Sequence, residues 1–155
     1  FREGSAKEQE EEDYIAPVVL ACMNMARKKT GALIAIQGTS DLTPYQHAGE
    51  RFLAAVNARL IETIFFKNSP LHDGAMIIAG GKICAAGCIL PVASDTDLNK
   101  DLGLRHRSAL GLSQKTDAKI IIISEERGTI SLAYRSEIIV DITPDELRAL
   151  LSSED

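Results

Sequence analysis

Apolar residues recur along most of the chain with the spacings of regular secondary structure, and short polar stretches separate them. From Ile15 to Lys29 they follow the helical period, and the basic residues at the end of this segment complement the helix dipole. Short apolar runs rich in β-branched residues predict strands. The predicted strands are 32–37, 52–56, 75–79, 82–90, 119–124, 129–134 and 137–142.

Boundary signals place the remaining elements. Asn57 is suited to cap a helix that runs to about Phe66, and Thr143 followed by Pro144 starts a C-terminal helix. A further helix is predicted from about 105 to 113, Gly80–Gly81 is a two-residue hairpin turn, and 38–44 is turn-like. Hairpins that alternate with helices predict an α/β fold, with a mixed, twisted central β-sheet flanked by helices.

The chain has 155 residues, 45% of them hydrophobic and 25% charged, which predicts one ordinary globular domain. Residues 1–13 are polar and rich in glutamate, and we interpret them as a charged linker or helix remnant before a domain at 14–155. Because the chain begins with Phe1, we expect it to be a trimmed or processed piece.

Composition excludes several classes of protein. A net charge of −5 argues against nonspecific nucleic-acid binding, although a local basic cluster can still bind a small phosphate ligand. Three cysteines without a CxxC pair predict reduced thiols in a cytoplasmic protein. No apolar stretch reaches the roughly 18 residues of a membrane span.

Three polar clusters interrupt the apolar pattern, each at the end of an element. The first is 71–75, immediately before a predicted strand. Asp73 could bind a divalent cation there, and Gly74 would allow a ligand to approach the backbone closely. A plain Asp-Gly turn explains the same residues.

The second cluster, 103–107, contains Arg105, His106 and Arg107 where a helix is expected to start. Unpaired backbone N–H groups, the helix dipole and two guanidiniums would together favour an anion such as a triphosphate. The alternative is a solvated basic turn paired with Asp97 or Asp101.

The third cluster is Ser124-Glu125-Glu126, which closes the strand 119–124 and precedes Arg127-Gly128. Ser124 could donate to a phosphate, and a glutamate could complete a metal site. The alternative is a charged β-turn.

The order and context of these clusters resemble the diadenylate cyclase (DAC, DisA-N-type) domain family. Asp73-Gly74-Ala75 matches its DGA motif and 105–107 matches its RHR motif, while KTGALIAIQ near the start and the SEE-G turn also match. The resemblance covers about residues 15–142 and is closest to the membrane-linked branch. It implies a cytoplasmic catalytic domain in a full-length protein that can be anchored in the cell membrane.

The resemblance also implies the chemistry. Such an enzyme joins two ATP molecules into cyclic di-AMP, with Mg²⁺ or Mn²⁺ (or another divalent cation), across a face-to-face homodimer; a regulatory protein partner is possible. The implied catalytic residues are Asp73, Gly74, Arg105 and His106. The implied ATP contacts are Leu90, Leu104, Arg105, His106, Arg107, Ser124 and Glu125, and the implied metal ligands are His72, Asp73 and Glu126.

Two positions depart from the family pattern. Leu104 stands where members usually carry a threonine that helps to bind phosphate, and Ile89 stands where many membrane-linked members carry an aromatic residue. Because of the first departure, the second hypothesis is a nucleotide-binding module that has lost turnover. A metal-dependent phosphohydrolase using His72, Asp73 and His106 is the third hypothesis.

Overall fold

The computed structural model describes residues 14–94 and 103–153 of the chain. Its helices are α1 Ile15–Arg27, α2 Thr43–Gln46, α3 Ala58–Phe65, α4 Leu104–Lys115 and α5 Pro144–Ser152. Its strands are β1 Ala32–Ile36, β2 Glu50–Ala55, β3 Ala75–Ala79, β4 Lys82–Cys88, β5 Lys119–Ile123, β6 Ile130–Tyr134 and β7 Glu137–Ile139. The segment 1–13, predicted to be a linker or helix remnant, lies outside the described residues.

The seven strands form one mixed sheet in the order β2-β4-β3-β1-β5-β6-β7. Strands β1 and β3 run parallel, and each other neighbouring pair is antiparallel. The predicted α/β domain with a mixed central sheet is therefore confirmed.

Helices cover both faces of the sheet, so its central strands are buried on both sides. In β1 every residue is buried: Ile34 and Ile36 pack into the core beneath α1, α3 and α5, whereas Leu33 and Ala35 point to the core beneath α4. This alternation follows from the two-residue period of a strand. It explains why ALIAI reads as a continuous apolar run.

Local signals set most of the boundaries. The Asn57 side chain accepts from the backbone N–H of Leu60 (2.8 Å), as expected for a helix cap. Thr143 and Glu146 form a reciprocal capping box at the start of α5. Gly80 and Gly81 both have positive φ, which suits the tight turn between β3 and β4.

Several boundaries differ from the sequence-based expectation by one to three residues, and two of the differences have a clear physical reason. The region 38–44 is not turn throughout, because Pro44 lies in the first turn of the short helix α2. Strand β7 ends at Ile139 and not at Ile142, since Asp141 adopts a positive φ of 53° that cannot continue a strand.

The three cysteines are reduced, as their number and spacing predict. All three cysteines are free, and burial raises the pKa of the Cys22 thiol to about 12 and that of Cys88 to about 11, so both are protonated and unreactive at neutral pH. Within 14–94 and 103–153, no helix has both the length and the apolar character that a bilayer crossing needs.

The strand register brings four element ends to one edge of the sheet. Ala32 at the start of β1 pairs with Ile123 at the end of β5, and Ala75 at the start of β3 pairs with Cys88 at the end of β4. Because β1 and β3 are parallel, both starts lie at the same edge. The residues just beyond these ends therefore meet there.

Candidate active site

A cleft of about 710 Å³ opens at this edge of the sheet. Residues from all three polar clusters line it. The predicted site residues in its lining are Asp73, Gly74, Leu90, Leu104, Arg105, His106, Ser124, Glu125 and Glu126. These residues come from separate parts of the chain and lie in one cleft, whereas His72 and Arg107 are absent from its lining; the roles of all of them stay predictions.

Asp73 lies at the mouth of the cleft with its side chain 87% exposed. The neighbouring imidazole of His72 approaches it, with Nε2 3.2 Å from Asp73 Oδ1. The other ring nitrogen, Nδ1, lies 2.8 Å from the carbonyl oxygen of Ser69 and donates to it, because a carbonyl can only accept. With Nδ1 as the donor to Ser69, Nε2 is the ring nitrogen that faces the Asp73 carboxylate.

Gly74 is required by the fold itself. Its φ of +88° suits glycine, and a Cβ at this position would lie 2.7 Å from the carbonyl oxygen of Cys88. The absence of a side chain lets β3 and β4 approach closely beside Asp73. This packing requirement is separate from the expectation that Gly74 allows a ligand to approach the backbone closely. That expectation stays a prediction.

Arg105 extends from the first turn of α4 across the start of β1. A Cβ on Gly31 would lie 2.4 Å from its Nη1, so the guanidinium occupies space that only a glycine leaves open. Its Nη1 also lies 3.5 Å from Glu125 Oε1 in the third cluster. The second and third clusters are thus joined by an ion pair, and Gly31 contributes to a site for which we did not predict it.

His106 follows on the same helical turn and is buried. Burial, the charge of Arg127 and the charge of Arg105 together hold the pKa of this imidazole below its ordinary value. The ring is therefore neutral at physiological pH and can donate one hydrogen bond into the cleft. Arg107, one residue on, is half-buried, and its carbonyl accepts from the backbone N–H of Ala93 (3.0 Å). Its implied contact with ATP stays a prediction. Asp97 and Asp101, its alternative partners, lie outside the described residues.

Apolar side chains form another part of the lining. Leu90 is buried, whereas Ile89, Val92, Leu104 and Val140 are each at least half exposed towards solvent. The segment that carries Leu90 is held against α4 at Gly111, where a Cβ would lie 2.1 Å from the carbonyl oxygen of Pro91. This exposed apolar surface suits the face of a planar base.

The third cluster forms a closed turn. The backbone N–H of Ser124 donates to Thr129 O (3.0 Å), that of Gly128 donates to Ser124 O (2.9 Å), and that of Arg127 donates to Ser124 Oγ (3.2 Å). A hydroxyl oxygen that accepts can still donate its hydrogen, so Ser124 keeps the capacity to bind a phosphate.

Sequence reasoning missed several residues of the lining, among them Arg127, Thr129, Val140 and Asp141. Arg127 was visible only as part of a charged turn. Val140 and Asp141 could not be identified as cleft residues from the sequence, because the apolar pattern predicted that the strand 137–142 continues through them.

The described residues contain no group of three or more His, Cys, Asp or Glu side chains placed to hold a metal ion. His72, Asp73 and Glu126 therefore do not form a preassembled cluster there, and metal binding by them stays a prediction. Mg²⁺ is commonly held by one or two protein carboxylates together with substrate phosphates, and the exposed Asp73 carboxylate fits that use.

Known proteins share this architecture. A crystal structure of a DacA double mutant from Staphylococcus aureus superposes with a TM-score of 0.89 at 38% identity, and the match covers 93% of this chain and 96% of that one. A Bacillus cereus protein described as a hypothetical membrane spanning protein matches with a TM-score of 0.79 at 35% identity, over 83% of this chain and 63% of that one.

Curated relatives are similar over nearly the whole chain. A diadenylate cyclase of Listeria monocytogenes serotype 1/2a (strain 10403S) is 39% identical over 153 residues, and the cyclic di-AMP synthase CdaA of Bacillus subtilis (strain 168) is 36% identical over 153. Each match covers 99% of this chain and 56% of the relative, so the chain spans little more than half of their length. The family model described as "DisA bacterial checkpoint controller nucleotide-binding" matches residues 19–138. The chain therefore belongs to the diadenylate cyclase (DAC) family.

Proposed function

We propose that this chain is the catalytic domain of a diadenylate cyclase, which converts two ATP into cyclic di-AMP and two pyrophosphates. The observation that carries the proposal is the single cleft shared by Asp73, Arg105, His106 and Ser124, in a chain whose relatives are named diadenylate cyclases. Three segments far apart in sequence supply these residues.

The reaction forms two phosphodiester bonds. In each, the ribose 3′-oxygen of one ATP attacks the α-phosphorus of the other, the bond from that phosphorus to the β-phosphate oxygen breaks, and pyrophosphate leaves. The 3′-hydroxyl gives up its proton as the new bond forms. The task of the protein is mainly to position both nucleotides and to stabilise the charge that develops on the phosphates.

The cleft divides these tasks among its residues. The apolar surface of Ile89, Leu104 and Val140 would pack against adenine, with the backbone at Leu90 meeting its edge. Arg105 and the neutral His106, at the start of α4, would bind the phosphates with Ser124. Asp73 would lie next to the 3′-hydroxyl.

Charge favours a divalent cation as cofactor. The described lining carries four carboxylates (Asp73, Glu125, Glu126, Asp141) against two guanidiniums (Arg105, Arg127). A polyanionic nucleotide would be repelled from a cleft with this balance unless a cation entered with it. Asp73, with His72 and Glu126, would hold Mg²⁺ or Mn²⁺, which neutralises phosphate charge and eases ionisation of the hydroxyl.

The product requires two copies of the chain. One cleft holds one ATP in this way, whereas cyclic di-AMP is two-fold symmetric, so two domains would meet face to face around a two-fold axis. Each domain would then present its ATP to the 3′-hydroxyl of the other.

Incubation with ATP and Mn²⁺, followed by chromatographic separation of the products, tests the function. We expect cyclic di-AMP and pyrophosphate from the wild type. Asp73→Asn should lower the rate at least about 100-fold while the fold is kept, since it removes the charge next to the reacting hydroxyl. Asp145→Asn, on the exposed first turn of α5, is the matched control and should keep the wild-type rate.

Other products would contradict the proposal. Saturable ATP binding without pyrophosphate release would identify a module that has lost turnover, as the Leu104 departure allows. AMP or ADP as the product would identify a phosphohydrolase. An Asp73→Asn variant with full activity would refute the role given to that carboxylate.

A further inference from the structure

Arg127 is a cleft residue that the family motifs do not include. It lines the cleft, its side chain is exposed, and its positive charge lies near enough to His106 to affect that ring. The other guanidinium in the described part of the lining, that of Arg105, already has a carboxylate partner in Glu125. Within residues 14–94 and 103–153, no carboxylate oxygen lies within 4.0 Å of the Arg127 guanidinium.

The backbone beneath Arg127 is held firmly. Two backbone hydrogen bonds close the turn from Ser124 to Thr129, and Arg127 donates its own N–H to Ser124 Oγ. Gly128 has a φ of +67°, and a Cβ there would lie 2.6 Å from the carbonyl oxygen of Ala26, so the turn rests on the C-terminal end of α1. A fixed backbone with a long, exposed side chain suits a residue that meets a ligand.

The neighbours of Arg127 indicate which part of a nucleotide it would meet. The backbone N–H of Arg127 donates to Ser124 Oγ, and its charge acts on His106; both of these residues are predicted phosphate contacts. The apolar surface of the cleft is formed by other residues, Ile89, Leu104 and Val140. Guanidinium groups bind phosphates through paired, charge-assisted hydrogen bonds. Among the lining residues that the structure describes, which include four carboxylates, this arginine is one of two guanidiniums.

We propose that Arg127 binds the β- and γ-phosphates of the nucleotide, the part that leaves as pyrophosphate. The residue thereby selects nucleoside triphosphates over monophosphates. It also neutralises charge on the leaving group. This inference rests on the proposed function in one respect, namely that the cleft accepts a nucleoside triphosphate.

Equilibrium binding tests the inference without turnover. The probes are an ATP analogue with a methylene group between its α- and β-phosphorus atoms, and AMP, each with Mn²⁺. Arg127→Gln should weaken binding of the analogue by about 10-fold or more, the size expected for one charge-assisted contact, and leave AMP binding within about twofold. Arg127→Lys, which keeps the charge, should recover part of the loss.

Arg148→Gln is the matched control, because it removes an exposed arginine on α5, outside the cleft lining. Unchanged analogue binding in Arg127→Gln, or equal losses for the analogue and AMP, would overturn the inference. Its failure is distinct from that of the proposed function. A wild type that binds the analogue but forms no cyclic di-AMP would refute the cyclase alone, and an active enzyme indifferent to Arg127→Gln would refute only the role of Arg127.

Discussion

At the scale of single residues, the position of Arg105 depends on a glycine outside the three polar clusters. The guanidinium lies over Gly31, where any side chain would overlap it. The φ of Gly31 is outside the left-handed region, so an alanine could adopt the same backbone conformation. The methyl group would therefore displace the arginine and leave the strand in place.

Gly31→Ala should reduce cyclic di-AMP formation by about 10-fold or more, since small displacements of a positioned group are costly in catalysis. Its free energy of unfolding should change by less than about 1 kcal/mol, because a replaced glycine at a compatible φ is mildly stabilising. Product assays and urea unfolding measure the two effects. Full activity in this variant would show that Arg105 can act from a different position.

Gly38→Ala is the control for that experiment. Its Cβ would lie 2.7 Å from Asp117 Oδ1 and 2.8 Å from the Asp117 carbonyl oxygen, just past the opposite end of β1. We expect it to lose stability and to keep the activity of the folded fraction.

At the scale of elements, α4 organises the cleft along its length. Its first turn carries Arg105 and His106, and its flank holds the segment after Leu90 through the Ala93–Arg107 backbone hydrogen bond and the close approach at Gly111. One helix thus sets the distance between Arg105 and His106, the proposed phosphate contacts, and the apolar surface.

Gly111→Ala tests this organisation. Helix propensity alone predicts a gain of about 1 kcal/mol for alanine. The Cβ would, however, overlap the backbone of Pro91, so we expect a net loss of about 1–3 kcal/mol in unfolding free energy and weaker binding of the ATP analogue. Lys115→Ala, exposed in the last turn of α4, should have little effect on either measurement. A more stable Gly111→Ala variant with unchanged affinity would contradict the close packing of Gly111 against Pro91.

At the scale of the whole molecule, the proposed reaction needs two nucleotides, and one cleft is proposed to bind one of them. Its wide mouth exposes Asp73, Ile89 and Leu104 to solvent. A second copy that faces this mouth would bring a second ATP and exclude water from both. Catalysis would then depend on association.

The specific activity of the enzyme should therefore rise with its concentration and level off when the dimer is saturated. A dilution series of initial rates, with sedimentation equilibrium on the same samples, measures both quantities. A constant specific activity over a wide dilution range, with only monomer detected, would count against the face-to-face arrangement.

Local chemistry made much of this protein predictable. The periodicity of 15–27, the glycine pair at 80–81, and the caps Asn57 and Thr143 each act within a few residues, so they can be read directly from the chain. The polar clusters were also visible, because charged residues stand out at the ends of apolar runs. Their motif order was enough to indicate the family.

Only the tertiary structure decided how those clusters act together. The ion pair of Arg105 with Glu125, the space that Gly31 leaves for Arg105, and the presence of Arg127 and Val140 in the cleft join residues that are distant along the chain. No local pattern encodes such contacts, since they arise when the strand register brings separate element ends to one edge of the sheet. The sequence by itself therefore determined which chemical groups are available, and the fold determined which of them meet.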